Sequence, residues 1–150
     1  MINLVTRFAK CLGLQRNKMI KVRDLDNNLV NWNTNGCSPS SAAKSSYHLA
    51  ARQLIKESYP TMQVLEEVPV YLRKNEIVYL DFYIPLLKKC IEVHGEQHYK
   101  FVPHFHGSIV GFTKSKKRDN DKKHWCELNS ITFVELPYNN QDEWRNLING

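Results

Sequence analysis

Two carboxylates placed inside strand-like sequence constrain this chain more than any other feature. Between Tyr79 and Tyr99 the sequence reads YLDFYIPLLKKCIEVHGEQHY, and the apolar runs on either side of PLLKK contain Asp81 and Glu92. Proline does not fit a central strand and the lysine pair suits a turn, so the segment predicts a β-hairpin. A carboxylate in a half-buried strand costs desolvation free energy unless it is paired or bound to a cation. The stretch therefore predicts either a cation site at a sheet edge or two edge-strand acids that face water.

The basic residues are concentrated in one segment. The chain has 150 residues and a formal charge of +6, and the run KSKKRDNDKK lies between Lys114 and Lys123. Such a bias favours a polyanionic partner, nucleic acid first, with a solvated basic face as the alternative. Contacts to phosphates position a protein on DNA without reading its bases. The residues predicted to make them are Lys114, Lys116, Lys117, Arg118, Lys122 and Lys123.

The cysteines and the N-terminal residues bear on the compartment. The four cysteines, at positions 11, 37, 90 and 126, have no CxxC pair and no framework spacing, which indicates reduced thiols. The first residues, MINLVTRFAKCLGL, are too short and too charged for a membrane span, and they lack a signal-peptide cleavage region. We expect a cytoplasmic protein, in the host-cell cytoplasm if a phage encodes it.

The apolar pattern predicts an N-terminal extension, residues 1–39, followed by one mixed α/β domain, residues 40–150. In the extension, residues 2–14 predict an amphipathic helix and residues 19–32 a small hairpin, which together contact DNA, form an oligomer contact or clasp the core. The first helix of the domain is expected to be capped by Ser40 or Ser41 and to end near Ser58. The other predicted elements are strands at 62–72, 77–85, 90–95 and 131–138, a helix from Lys114 to about Asn129, and a terminal helix at 141–148. The three tryptophans are expected in the core.

The ordered set of motifs resembles a known superfamily of nucleases. The motifs are D-F-Y-x-P from Asp81, I-E-x-x-G-x-Q-H-Y from Ile91, and R-D at Arg118 and Asp119. They are similar to the PD-(D/E)XK nucleases, most closely to the branch that holds the very-short-patch mismatch repair endonuclease and the EDxHD phage and intron homing endonucleases. The resemblance covers about residues 41–148 and implies a restriction-endonuclease-like α/β fold, with a mixed sheet flanked by helices.

The resemblance implies a metal-dependent phosphodiester hydrolase. Asp81 matches the metal-binding aspartate of the second strand, and Glu92 matches the (D/E) position of the third strand. Hydrolysis needs a divalent cation that polarises the phosphate, and Mg²⁺ is held by one or two carboxylates together with substrate phosphate. We therefore expect Mg²⁺, with Mn²⁺ as an alternative, bound by Asp81 and Glu92.

The remaining catalytic roles implied by the resemblance fall on histidines, an amide and one more acid. His98 matches the histidine that the repair branch uses beside the metal, and Asp119 matches the second D of the EDxHD label. His94 occupies the position where the general pattern has lysine, and it can be a base, a metal ligand or a packed strand residue. Gln97 is expected to orient the metal-bound water or to hold the loop.

One position departs from the pattern. Relatives have an acid early on the helix before the strands, where this chain has SSYHLAA and His48. Glu67 on the first strand and Glu57 at the helix end are the acids that can replace it in space, and His48 itself is the third possibility.

A zinc site and the role of one aromatic segment are two further open questions. Cys90, His94 and His98, or His104, His106 and Cys126, can be read as a zinc site, although their spacing lacks the tight knuckles of structural zinc sites. The segment from Phe101 to Phe112 is rich in aromatic residues, which either push a side chain into the DNA stack or cover the sheet.

Taken together, the sequence predicts a magnesium-dependent endonuclease that acts on double-stranded DNA, best matched to a site-specific phage or intron homing endonuclease. A homing target is long for one such domain, so we expect a homodimer or a higher homo-oligomer. The alternatives are a mismatch-repair nickase and a catalytically inactive DNA-binding module of the same fold.

Overall fold

The computed structural model describes residues 19–35, 37 and 44–150, and it shows a mixed α/β fold. A two-stranded hairpin, β1 (Ile20–Arg23) and β2 (Leu29–Trp32), precedes a four-stranded sheet. The sheet consists of β3 (Leu65–Arg73), β4 (Glu76–Ile84), β5 (Lys89–His94) and β6 (Thr132–Pro137). The α-helices are α1 (Ser46–Ser58), α2 (Pro103–His106), α3 (Ile109–Leu128) and α4 (Trp144–Asn149). The predicted α/β class and the hairpin at 19–32 are confirmed, and the helix predicted at 2–14 lies outside the described residues.

The strand order of the sheet is β3-β4-β5-β6. The first three strands form an antiparallel meander, while β6 pairs parallel to β5 after the chain crosses over through α3. A parallel pair requires such a crossover, so the long basic helix is also the connection that completes the sheet. The described helices include none long and apolar enough to cross a membrane.

Two helix boundaries differ from the sequence-based expectation. Helix α1 begins at Ser46, and its cap is Ser45, whose hydroxyl accepts a hydrogen bond from the backbone N–H of His48 at 3.2 Å. The start predicted at Ser40 or Ser41 is therefore wrong, although these two serines lie outside the described residues. Helix α3 begins at Ile109 rather than Lys114, because Ser108 caps it by accepting from Gly111 N–H.

The sheet has a packed core on each face. One core contains Trp32 of the hairpin and Trp125 of α3. The other contains Ile55 of α1 and Trp144 of α4. All three tryptophans are buried, as predicted, and together the two cores fix α1 and α3 on opposite faces of the same sheet.

The N-terminal hairpin is attached to the outer strand of the sheet. The indole N–H of Trp32 donates to the carbonyl oxygen of Pro69 at 2.9 Å, and the N–H of Leu25 donates to the carbonyl oxygen of Leu72 at 2.7 Å. The Trp32 ring also meets that of Trp125 edge-on, with centroids 5.2 Å apart. These contacts make the hairpin a clasp over the core, and the DNA-contacting and oligomer-forming roles considered for the N-terminal region stay predictions.

Candidate metal and nucleic-acid site

Glu67 and Asp81 occupy opposed positions on β3 and β4, where the regular ladder is interrupted. Glu66 pairs with Phe82 and Val68 pairs with Leu80, so Glu67 lies opposite Asp81. The backbone of Glu67 has a φ of 51°, in the left-handed region that a residue with a side chain rarely adopts. Strained positions of this kind cluster at functional sites.

Asp81 and Glu92 each accept a backbone hydrogen bond from the neighbouring strand. The N–H of Asp81 donates to Glu92 Oε1 at 3.0 Å, and the N–H of Val93 donates to Asp81 Oδ2 at 2.8 Å. These side-chain bonds continue the β4–β5 contact beyond the last regular pair, Phe82 with Ile91. The prediction that the two acids lie on adjacent strands is confirmed, and the exchange fixes both carboxylates.

Glu92 is buried and paired with a lysine of the basic helix. Its Oε2 lies 2.8 Å from the Nζ of Lys122, and the two side chains are 3% and 13% exposed. Burial and the nearby charge of Asp81 raise the pKa of Glu92 to about 7, although Lys122 opposes the shift. Lys122 was predicted among the phosphate contacts, whereas the structure directs it inward to this acid.

His48 is held by a buried acid that the sequence did not single out. The Nε2 of His48 lies 3.2 Å from Glu66 Oε2, and Arg52 binds the same carboxylate through two contacts of 2.8 Å. Burial alone would raise the pKa of Glu66, but hydrogen bonds from Arg52 and His48 lower it below its usual value. The ring of His48 also stacks on Phe82, with centroids 4.4 Å apart. The imidazole is therefore fixed in position.

His48, Glu67 and Asp81 form one group of metal-ligand type. One ligand atom from each of the three lies within 4.8 Å of the others. Glu67 also accepts from Lys44 Nζ at 2.6 Å. Of the residues considered as replacements for the helix acid, His48 and Glu67 are brought to Asp81, whereas Glu57 pairs with Arg145.

His98 and Asp119 form a second pair of interacting side chains, a His–Asp dyad. The Nδ1 of His98 lies 2.8 Å from Oδ2 of Asp119, which is a residue of α3. An ionised carboxylate only accepts, so this bond places the ring proton on Nδ1 and leaves Nε2 as an acceptor. Such an arrangement is typical of a histidine oriented for proton transfer.

His94 stacks directly on His98. Their ring centroids are 4.2 Å apart and their planes differ by 6°, and His94 Nδ1 lies 3.3 Å from Glu135. Burial alone would lower the pKa of His94, but the hydrogen bond and charge of Glu135, with Asp119 and Glu92 behind it, raise that pKa. The bond from His94 in turn lowers the pKa of Glu135 to about 2, and Tyr99 donates to the same carboxylate.

His94, His98 and Asp119 also have ligand atoms within 4.8 Å of one another, yet the ring geometry is unsuitable for one shared ion. A metal binds an imidazole in the plane of the ring, and two nearly parallel stacked rings with centroids 4.2 Å apart do not direct their in-plane lone pairs at one point. These residues are better described as two imidazoles, each anchored by its own acid. Among the described residues, the groups of close ligand atoms include no cysteine, and Cys90 and Cys126 lie in a core.

The other predicted residues flank the dyad. Lys116 donates to the carbonyl oxygen of His98 at 3.1 Å and lies over the Tyr99 ring. Gln97 and the side chains of Lys114 and Arg118 line a cavity of about 360 Å³ next to α2. Lys117 and Lys123 are exposed on α3. Apart from Lys122, the predicted basic residues therefore remain at the surface.

The segment from Phe101 to Phe112 is partly helical, and its aromatic rings do not cover the sheet. Phe101, His106 and Phe112 pack against one another, while Phe105 is 63% exposed. Of the two alternatives left open by the sequence, the sheet-covering one is wrong for these residues. Whether Phe105 enters DNA stays a prediction.

Comparison with known proteins gives three partial matches, all to viral proteins described as uncharacterized. Protein 307L of Invertebrate iridescent virus 6 is 43% identical over 63 residues, 42% of this chain and 32% of that protein. Protein 094L of Frog virus 3 is 39% identical over 64 residues, 42% of this chain and 41% of the relative. Protein 033L of Invertebrate iridescent virus 3 is 29% identical over 73 residues, 47% and 38% of the two chains.

The matched part thus spans less than half of each viral relative. No protein-family model matches the chain, and no solved structure matches it. The chain is similar to a segment that occurs in these viral proteins.

Proposed function

We propose that this protein is a metal-dependent DNA endonuclease with a restriction-endonuclease-like site. The observation that carries the proposal is the position of Asp81. Its Oδ2 is fixed by the N–H of Val93, while its carboxylate lies within ligand distance of His48 and Glu67 and beside buried Glu92. An acid held in this way at a strand irregularity, with a His–Asp dyad and a basic helix nearby, has the parts that phosphodiester hydrolysis requires.

The residues present fit a divalent cation. Asp81 and Glu67 offer carboxylate oxygens, and His48 adds an imidazole whose Nε2 is hydrogen-bonded to Glu66. Glu92 is a further oxygen donor, although both its oxygens are engaged by Asp81 N–H and Lys122. When bound, the ion would polarise the scissile phosphate and lower the pKa of a water molecule.

The chain's own residues would manage the proton and the developing charge. His98, oriented by Asp119, presents Nε2 as a base or, once protonated, as an acid toward the leaving oxygen. Lys122 holds the charge of Glu92 inside the site. The exposed lysines and Arg118 on α3 would bind backbone phosphates and place the duplex across the site.

A catalytically inactive DNA-binding module is the second candidate. The engagement of both Glu92 oxygens by Asp81 N–H and by Lys122 favours it, because one of the two expected metal ligands is already satisfied. In this case the basic helix would still bind DNA. Because the relatives are viral proteins, we expect either activity to occur in the cytoplasm of an infected cell.

Cleavage of supercoiled DNA separates the two candidates. The purified chain is incubated with plasmid and viral DNA in Mg²⁺, Mn²⁺ or EDTA, together with Asp81→Asn and the exposed-surface control Asp142→Asn. Metal-dependent nicking or linearisation that is lost in Asp81→Asn and kept in Asp142→Asn supports the endonuclease. Salt-sensitive DNA binding without cleavage in either metal supports the inactive module, and cleavage that persists in Asp81→Asn contradicts the proposed site.

A further inference from the structure

We propose that His48, Glu67 and Asp81 hold a first-row transition-metal dication in preference to Mg²⁺, and that the imidazole of His48 sets this preference. The assignment deepens the proposed function and rests on it only in taking Asp81 as a metal ligand. It is carried by the mixed donor set, one nitrogen and two carboxylate oxygens, that the three elements α1, β3 and β4 bring together.

The contact with Glu66 determines which ring nitrogen of His48 can bind a metal. Glu66 is 2% exposed, and Arg52 binds it through both Nε and Nη2 at 2.8 Å, which keeps this buried acid ionised. A carboxylate paired with arginine accepts hydrogen bonds, so the neutral ring of His48 donates from Nε2 and has its free electron pair on Nδ1. A metal-binding histidine that donates its other ring N–H to a carboxylate is the common arrangement in protein metal sites.

The three donor residues are held in fixed positions. His48 is buried, is stacked on Phe82 at 4.4 Å, and follows the cap Ser45 in the first turn of α1. Asp81 is fixed by the bond from Val93 N–H, and Glu67 is held by a left-handed backbone with a φ of 51°. None of the three residues lies on a long flexible loop, so their donor atoms stay within 4.8 Å of one another.

The chemical type of the donor atoms determines which ion is preferred. Mg²⁺ is small, strongly hydrated and bound almost entirely by oxygen, whereas imidazole is a good ligand for transition metals. Mn²⁺ accepts the carboxylates as readily as Mg²⁺ does and also accepts the nitrogen. The ammonium of Lys44, 2.6 Å from Glu67, competes equally with every dication, so it lowers the affinity without changing the order of preference.

Metal binding by the full chain without DNA tests the inference directly. EDTA-stripped protein is titrated with Mn²⁺ by electron paramagnetic resonance, with Mg²⁺ as competitor. We expect Mn²⁺ to bind at least about tenfold more tightly than Mg²⁺, and His48→Gln to lower Mn²⁺ affinity at least about tenfold while leaving Mg²⁺ binding little changed. Glutamine keeps a donor for Glu66, and the exposed-surface change His124→Gln is the control.

The ligand atom is identified by electron spin-echo modulation. Bound Mn²⁺ should show coupling to a ¹⁴N nucleus, and ¹⁵N-labelled histidine should alter this coupling in the unmutated chain, which establishes a histidine ligand even if His48→Gln does not fold. His98→Gln should retain the coupling. A coupling that is absent from the unmutated chain, survives in folded His48→Gln or disappears in His98→Gln would overturn the assignment, as would equal affinity for Mg²⁺.

This measurement is independent of cleavage. Mn²⁺ bound through His48 in a chain that never cuts DNA would leave the inference standing and refute the proposed endonuclease. Cleavage in a chain whose bound Mn²⁺ has no nitrogen ligand would do the opposite.

Discussion

The carboxylate of Glu92 and the ammonium of Lys122 lie 2.8 Å apart, and neither side chain is more than 13% exposed. This pair joins the crossover helix α3 to the strand β5 at the centre of the candidate site. It also shows that one lysine of the basic run serves the interior of the protein while its neighbours face solvent.

Replacing Lys122 by methionine should destabilise the protein by about 3 kcal/mol near pH 8, because it leaves Glu92 as an uncompensated buried charge. The measurement is urea unfolding in EDTA. The exposed neighbour, in Lys123→Met, should change the free energy of unfolding by less than about 0.5 kcal/mol. Equal effects of the two substitutions would contradict an energetic role for the pair.

The stability of the metal-free protein should depend on pH through Glu92. The folded state raises the pKa of Glu92 from its ordinary 4.5 to about 7, so the folded chain binds a proton that the unfolded chain has released. The contribution is therefore fully present below about pH 4.5 and is lost as the pH rises through 7. The unfolding free energy of the unmutated chain should fall relative to that of Glu92→Gln across this window, and a constant difference would refute the shift.

Asp119→Asn should slow DNA cleavage by about 10²–10⁴-fold, the usual contribution of a general acid or base, because an amide can also donate to Nδ1 and no longer fixes the tautomer of His98. DNA affinity should be unchanged. Asp121→Asn, on the same helix but paired with Arg73, is the matched control and should keep the cleavage rate. Single-turnover cleavage at saturating protein separates the two steps, and a loss confined to binding would exclude the proton-transfer role.

The salt dependence of DNA binding should report each exposed basic residue of α3. Lys117→Ala and Lys123→Ala should each reduce the slope of log affinity against log salt by about 0.9, the value for one lost phosphate contact. Lys56→Ala, an exposed lysine on α1 across the sheet, should leave the slope unchanged. Fluorescence anisotropy in EDTA gives the slopes, and a slope near zero for the unmutated chain would refute DNA binding.

Glu67→Gly should relieve backbone strain and weaken metal binding at once. Glycine adopts a φ of 51° without the penalty of about 1–2 kcal/mol that a side chain incurs there, while its own chain entropy and the lost Lys44 contact offset part of the gain. We expect stability to be unchanged or raised by up to about 1 kcal/mol. Thermal unfolding and Mn²⁺ titration test the pair of effects, and a clear loss of stability would contradict the strain.

Most elements of the fold follow from patterns within the sequence. The alternation around Asp81 and the turn formers in PLLKK predicted two paired strands, and the structure pairs Tyr83 with Cys90 across them. The helix starts were less accurate, because several serines precede α1 and only the backbone geometry selects Ser45 as the cap.

The site was harder to predict because it depends on an irregularity. Strict alternation places Glu66 and Glu67 on opposite faces, and nothing in EEVPV indicates that the backbone turns left-handed at Glu67. The inward position of Lys122, in contrast, could be predicted from the helix period. It lies one helical turn before buried Trp125 and Cys126, so the period of the helix already places it on the inner face.

The clasp formed by β1 and β2 has a consequence for self-association. β3 is an outer strand of the sheet, and such strands recruit other chains through their unpaired backbone groups. Pro69 offers no N–H there, and the carbonyl oxygens of Pro69 and Leu72 already accept from Trp32 and Leu25. A chain shortened to begin at Lys44 would keep every residue of the candidate site but would expose the edge of β3 to other copies of the chain. We therefore expect it to aggregate even though its site residues are intact.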